Sequence, residues 1–169
     1  DLVSVCLPNA LHAEVTCAAL AAGAHVLCEK PMAMTLAEAV RMRDAAEKAN
    51  RKLAINLSFR FSPEAQALKQ LATDGALGEP YHAYTRWTRR HGLPRFGGWF
   101  GRKELSNGGP LIDLGGHRLD LALWLMGGPR PLAVSGMTHE RLAAPLAQAQ
   151  GKAFDVEDFA SGFVRLEGG

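Results

Sequence analysis

Ala24-His25-Val26-Leu27-Cys28-Glu29-Lys30-Pro31 is the stretch whose reading decides the fold. Its first five residues, following Gly23, read as a short buried strand. Strands of that kind belong to parallel sheets, and open parallel sheets gather their ligands outside the carboxyl ends of the strands. Glu29 and Lys30 are delivered to that end. Pro31 fixes its own backbone and disfavours helical geometry at Lys30, so the ammonium has a defined direction. Taken alone, the two charges read more simply as the first solvated residues of a loop; the choice rests on the rest of the chain.

Upstream, Leu2 to Leu7 is a strand by its β-branched content, stopped by the turn dipeptide Pro8-Asn9. A helix of Ala and Leu follows from about Ala10 to Ala22, with Gly23 as its C′ residue. Strand, helix and strand make a β-α-β unit with a right-handed crossover. Downstream, Thr35-Leu36-Ala37-Glu38 is a capping box. The helix it opens runs to about Asn50, with Leu36, Ala39, Val40 and Ala46 predicted on its buried face. Lys52 to Leu57 is a third strand. Ser62-Pro63-Glu64 then opens a helix ending near Asp74-Gly75. The fold class is α/β to this point.

After Gly78-Glu79-Pro80 the pattern changes. Tyr81 to Arg89 alternates bulky and polar side chains, which predicts a strand with one face covered. A long Gly-rich loop runs from Arg90 to Asn107, and loops of that length are usually functional. Pro110 to Met126 predicts one helix stopped by Gly127-Gly128. Leu132 to Thr138 and Phe159 to Leu166 are further strand candidates. The division expected is residues 1–58 and 59–169.

With 169 residues, 47% hydrophobic and 21% charged, the chain is long enough to bury a core and has no apolar run approaching a membrane span. A net charge of +2 gives no reason to expect a polyanionic partner. Cys6, Cys17 and Cys28 are odd in number, sit in apolar patterns and lack the spacing of a zinc site. They read as reduced core residues of a cytoplasmic protein. The chain opens in mid-strand without a leader pattern, so it reads as a fragment.

The second informative stretch is Gly109-Pro110-Leu111-Ile112-Asp113-Leu114-Gly115-Gly116-His117-Arg118-Leu119-Asp120. Asp113 and His117, four apart, share a helix face, and Asp120 lies three further along. Glycines inside a helix cost about 1 kcal/mol each against Ala, which a ligand packed on the backbone would explain. A His beside a carboxylate can exchange protons near neutrality. An ordinary surface charge pair explains the same spacing, and both readings stand at this point.

Four pieces in register resemble one family: Pro8-Asn9-Ala10-Leu11-His12, Ala22 through Pro31, Arg60-Phe61-Ser62-Pro63, and Ser106-Asn107-Gly108-Gly109 leading to Asp113, His117 and Asp120. Together they look like the Gfo/Idh/MocA family of NAD(P)-dependent oxidoreductases. The resemblance implies the carboxyl part of a Rossmann domain followed by an α+β substrate domain with a largely antiparallel open sheet. It implies Lys30, Asp113 and His117 as catalytic residues, with Pro8, Asn9, His12, Glu29 and Lys30 at the nicotinamide side of an NAD or NADP site. Arg60, Trp99, Asp113 and His117 are the expected substrate contacts, and no metal is expected. On this reading His117 is the base, Asp113 its orienting partner, and Lys30 the cation that stabilises a developing alkoxide. The substrate class implied is a sugar, inositol or related polyol, and a homo-oligomer through the second-domain sheet is expected. Two departures are visible. The Gly-rich pyrophosphate fingerprint is absent from these residues, and the family's triple glycine appears as Asn107-Gly108-Gly109 before Pro110.

Other functions have their own signals. Arg86, Arg89, Arg90, Arg95, Arg102 and Lys103 lie among Trp87, Phe96, Trp99 and Phe100, a nucleic-acid pattern that the near-balanced charge argues against. Asp113, His117 and Asp120 would suit a metal-dependent hydrolase if one face presented all three. A non-catalytic binding or assembly module is the remaining alternative, and the segment alone is expected to be inactive.

Overall fold

The computed structural model describes residues 1–90 and 96–168. Its first half is a parallel three-stranded sheet in the order β1-β2-β3, with β1 Leu2–Val5, β2 His25–Glu29 and β3 Leu53–Asn56. The registers Val5↔Cys28 and Glu29↔Asn56 bring the carboxyl ends of all three strands to one edge. Helix α1, His12–Ala21, crosses from β1 to β2 and closes on Gly23 at φ +86°, a geometry that favours glycine. Helix α2, Leu36–Ala49, begins at Thr35, whose hydroxyl accepts from the Glu38 amide while the Glu38 carboxylate accepts from the Thr35 amide. Val5, Ala13, Leu20, Val26, Cys28, Met42 and Ala46 form the core between sheet and helices. Leu20 and Met42 have no exposed surface, so truncating either to Ala would cost about 2–5 kcal/mol.

The buried stripe of α2 differs from the one expected. It runs through Met42 and Ala46, whereas Leu36 is 81% exposed and Val40 is exposed. Leu36 is the first residue of α2, and the packing against α1 holds the later turns instead. Cys6 is also exposed, since β1 ends at Val5 and the chain turns outward; only Cys28 is buried among the cysteines.

Helix α3, Pro63–Thr73, takes Ser62 as N-cap and Pro63 at N1. The strand expected over Tyr81 to Arg89 does not form: no ladder reaches it among the described residues, and Tyr81 and Tyr84 are 94% and 79% exposed. Alternating side chains specify two faces but not a neighbour, and a strand needs the neighbour. The loop from Arg90 to Asn107 holds a 3-10 turn at Trp99–Gly101 and a short helix α4, Lys103–Ser106. Residues 91–95 of that loop, Arg95 included, lie outside the described residues.

The helix expected from Pro110 to Met126 is two pieces, a π-helical turn at Leu111–Gly115 and α5, Gly116–Leu125. Strands β4, Pro131–His139, and β5, Phe159–Leu166, pair antiparallel from Pro131↔Leu166 to His139↔Phe159. Between them lies α6, Ala143–Ala149, not anticipated from the sequence. The Asp158 carboxylate accepts from the amides of Leu142 and Ala143, each at 2.7 Å, and so caps its start.

Candidate active site

The site is built where β1 and β2 end. Pro8-Asn9 lies beyond β1, Glu29 is the last residue of β2 with Lys30 directly after it, and the Lys30–Pro31 peptide is cis. The Lys30 ammonium crosses to the second half and donates to the Asp113 carbonyl at 2.6 Å and to its carboxylate at 3.0 Å. Asp113 sits in the π-helical turn, where Gly116 N–H donates to the Leu111 carbonyl five residues back. Turns of that type are frequent at functional sites because they interrupt the regular carbonyl ladder.

Two further bonds tie the halves together. Asn9 is buried and donates its side-chain amide to the Ser106 carbonyl at 2.7 Å. Asn107, at φ +70°, donates its side-chain amide to the Met34 carbonyl at 2.6 Å. Neither Ser106 nor Asn107 was singled out from the sequence as a site residue. The signal for Asn107 was its place after a polar run and before two glycines, where an Asn tolerates the left-handed conformation.

Between these connections lies a cleft of about 280 Å³ lined in part by Pro8, Asn9, Glu29, Lys30, Trp99 and Asp113. Its apolar walls and few convergent polar groups are those of a small-molecule site, and its volume falls just under the usual range for whole ligands, about 300–1,000 Å³. The lining fits the nicotinamide part of a dinucleotide: an apolar slot from Leu7, Pro8 and Ile112, with Asn9, Glu29 and Lys30 as the polar groups. Glu29 is itself held, accepting from the Asn56 amide at 2.6 Å.

Other expected residues stand elsewhere. His12 is fully buried and does not line the cleft; its ring nitrogens lie 2.7 Å from the Pro31 carbonyl and 2.9 Å from the Leu7 carbonyl. It therefore joins the β1 loop to the β2 loop beneath the cleft. Arg60 is taken up by Asp120, whose two carboxylate oxygens accept from Nε at 2.7 Å and from a terminal guanidinium nitrogen. Asp113 makes its ion pair with Lys30, and no hydrogen bond joins it to His117 among the described residues. The one-face arrangement of Asp113, His117 and Asp120 as metal ligands is thus not assembled: no trio of His, Cys, Asp or Glu among the described residues is placed to hold an ion.

His117, expected as base and substrate contact, is not among the residues lining the cleft; it stands beside it, near enough for the charges of Lys30 and Asp113 to act on it, and stacks on Phe59 with ring centroids 4.5 Å apart. Burial pushes its pKa below the ordinary histidine value, and the nearby Lys30 charge adds to the effect. At neutral pH the ring is therefore uncharged and able to accept a proton.

Residues 1–57 match the model of an oxidoreductase family with an NAD-binding Rossmann fold, and residues 65–169 match a GFO/IDH/MocA C-terminal domain. The chain is 41% identical to D-glucoside 3-dehydrogenase of Escherichia coli K12 over an alignment 176 positions long, gaps included, covering all of this chain and 49% of that protein. It superposes on aldose-aldose oxidoreductase from Caulobacter crescentus, solved with glycerol, at a TM-score of 0.80 and 33% identity, covering 100% of this chain and 48% of that one. A levoglucosan dehydrogenase solved with NADH and levoglucosan gives 0.77 at 26% identity, with 98% and 44% covered. The chain spans about half the length of the curated relatives it matches. No helix among the described residues is long and apolar enough to cross a membrane.

Proposed function

Because the chain belongs to the GFO/IDH/MocA family of oxidoreductases, we propose that it forms the catalytic junction of a nicotinamide-dependent dehydrogenase acting on a hydroxyl carbon of a sugar, inositol or related polyol. The observation that carries this reading is the meeting of Lys30, from the end of β2, with Asp113 across one cleft that Pro8, Asn9 and Glu29 also line. NAD or NADP, when bound, supplies hydride acceptance. The chain's own residues handle the proton and the charge. His117, neutral near pH 7, takes the hydroxyl proton. Lys30 presents an ammonium to the oxygen as negative charge develops there. Asp113 holds that ammonium in place through its carbonyl and its carboxylate. Trp99 offers an apolar wall from the other side of the cleft.

The substrate class is supported by the relatives, which are named for glucosides, aldoses and levoglucosan. We divide the chain into residues 1–58 and 59–169, a reading supported by separate family matches over 1–57 and 65–169. The exposed apolar side chains of β4 and β5, among them Val134, Met137 and Phe163, support an oligomer through that sheet. Free cysteines fit the cytoplasm. The segment by itself is proposed to be inactive, a reading supported by its spanning about half the length of its relatives.

The test is NAD and NADP reduction by the full-length protein across a panel of glycosides, aldoses and inositols. Lys30→Ala should lower turnover by about 10²- to 10⁴-fold; unchanged turnover refutes the assignment. A second readout uses Cys6, which is exposed and lines the cleft. Bound cofactor should slow its alkylation, and equal rates with and without cofactor would place the nicotinamide elsewhere.

A further inference from the structure

The Nδ1 atom of His117 is buried, and no described residue hydrogen-bonds it. Asp113, four residues back, gives its carboxylate to Lys30. A proton-transferring imidazole ordinarily has its second nitrogen held by a carboxylate or carbonyl, which sets both the ring plane and the tautomer. Something else must set the plane here.

Phe59 meets the imidazole face to face, with planes within 12° and centroids 4.5 Å apart. Phe59 in turn stacks with Trp87 at 5.5 Å and 26°. The Arg118 guanidinium lies 4.8 Å from the Trp87 ring centre and 5.8 Å from that of Phe59. These side chains come from three separate parts of the chain: the 3-10 turn Ser58–Phe61, the irregular stretch before residue 90, and α5. Offset stacking of this kind has a preferred separation and tilt, so it constrains a ring without any hydrogen bond.

We propose that Phe59 is a positioning residue for His117: its ring, backed by Trp87, fixes the plane of the imidazole and keeps water from that face. The proposal rests on His117 being the base. It also gives the stretch over Tyr81 to Arg89 a task that no ladder gives it, because Trp87 is how that stretch reaches the site. The charged groups acting on His117 are Lys30, Asp113, Glu29 and Asp120, with Arg118 beside it on α5. Phe59 changes none of these charges, so its replacement reports on stacking and desolvation.

The experiment compares Phe59→Leu, Phe59→Tyr and His117→Asn in the full-length protein, reading kcat, KM and the titration of the His117 ring proton by NMR. Phe59→Leu should lower kcat by about 10- to 100-fold with KM little changed, and should move the His117 titration up toward the ordinary histidine value. Phe59→Tyr keeps the ring and should restore both. A purely structural role would lower stability while leaving the titration and the kcat-to-KM split unmoved, and that result overturns the proposal. If His117→Asn turns over normally, the base assignment falls; if it is inactive while Phe59→Leu is not, only the positioning role falls. Should Phe59→Leu fail to fold, Trp87→Leu carries the test one ring further out, with a smaller loss of kcat expected and no change refuting the stack.

Discussion

The ammonium of Lys30 reaches across 83 positions of sequence to lie 3.0 Å from the carboxylate of Asp113, and it takes the carbonyl of the same residue as well. The pair is partly shielded, with side-chain exposures of 16% and 26%. Replacing Asp113 by Asn should keep the carbonyl bond but remove the charge that fixes the ammonium. We expect turnover of the full-length protein to fall by about 10- to 100-fold while stability drops by about 1 kcal/mol, because a partly exposed pair contributes modestly. Steady-state kinetics and urea denaturation check the two halves of this expectation; a large stability loss with normal turnover would make the pair structural only.

Arg60 and Asp120 make a further ion pair, joining the turn after β3 to α5. Both nitrogens of the guanidinium edge are engaged, so Lys at position 60 would keep the charge and lose the fork. Arg60→Lys should therefore destabilise by about 1–2 kcal/mol. Thermal unfolding of the variant measures it, and a stability equal to that of the original chain would free Arg60 for the substrate contact expected from the sequence.

What could be read in advance follows from how local each signal is. The parallel sheet, the Thr35 capping box, the Ser62-Pro63 start of α3 and the delivery of Lys30 all depend on a few adjacent residues, and they appear in the structure as expected. The α/β class and the family follow from them. Features set by distant partners were not legible. Whether Tyr81 to Arg89 pairs depends on a neighbouring strand, and whether Leu36 is buried depends on whether another element covers the first turn of α2. The spacing of Asp113 and His117 placed them near each other, but spacing cannot say that a lysine from another element claims the carboxylate first. Phe59 carried no signal at all: it stands between Ser58 and Arg60, and nothing in those neighbours says which distant ring it meets.

The glycines of the second stretch divide sharply. A Cβ on Gly109 would lie 1.9 Å from the backbone carbonyl oxygen of Glu157, whereas one on Gly116 would meet nothing within 4 Å. Gly116 also has ordinary helical angles, φ −55° and ψ −44°. Gly109→Ala should accordingly destabilise by about 2–3 kcal/mol through overpacking, and Gly116→Ala should stabilise by up to about 1 kcal/mol through helix propensity. Paired denaturation curves test the contrast. If the close packing foreseen around the helical glycines comes from a ligand, Gly116→Ala will also weaken substrate or cofactor binding while the unliganded protein gains stability.

The depressed pKa of His117 has a signed consequence for pH. Burial, reinforced by Lys30, favours the neutral ring in the folded chain, while the unfolded chain titrates near the ordinary value of about 6.5. Above that value both states are neutral and the group contributes nothing to the pH dependence. As pH falls below about 6.5 the unfolded state takes up the proton first, so stability declines until the folded ring is protonated too, and then levels off. Sugar oxidation by the full-length protein should follow the same group from the other side: kcat/KM rises with pH through the folded pKa, so the midpoint of its acid limb lies below the ordinary histidine value of about 6.5. His117→Asn should remove both the stability decline and the activity limb. An acid limb centred above 6.5, or one that survives the substitution, would assign the base to another residue.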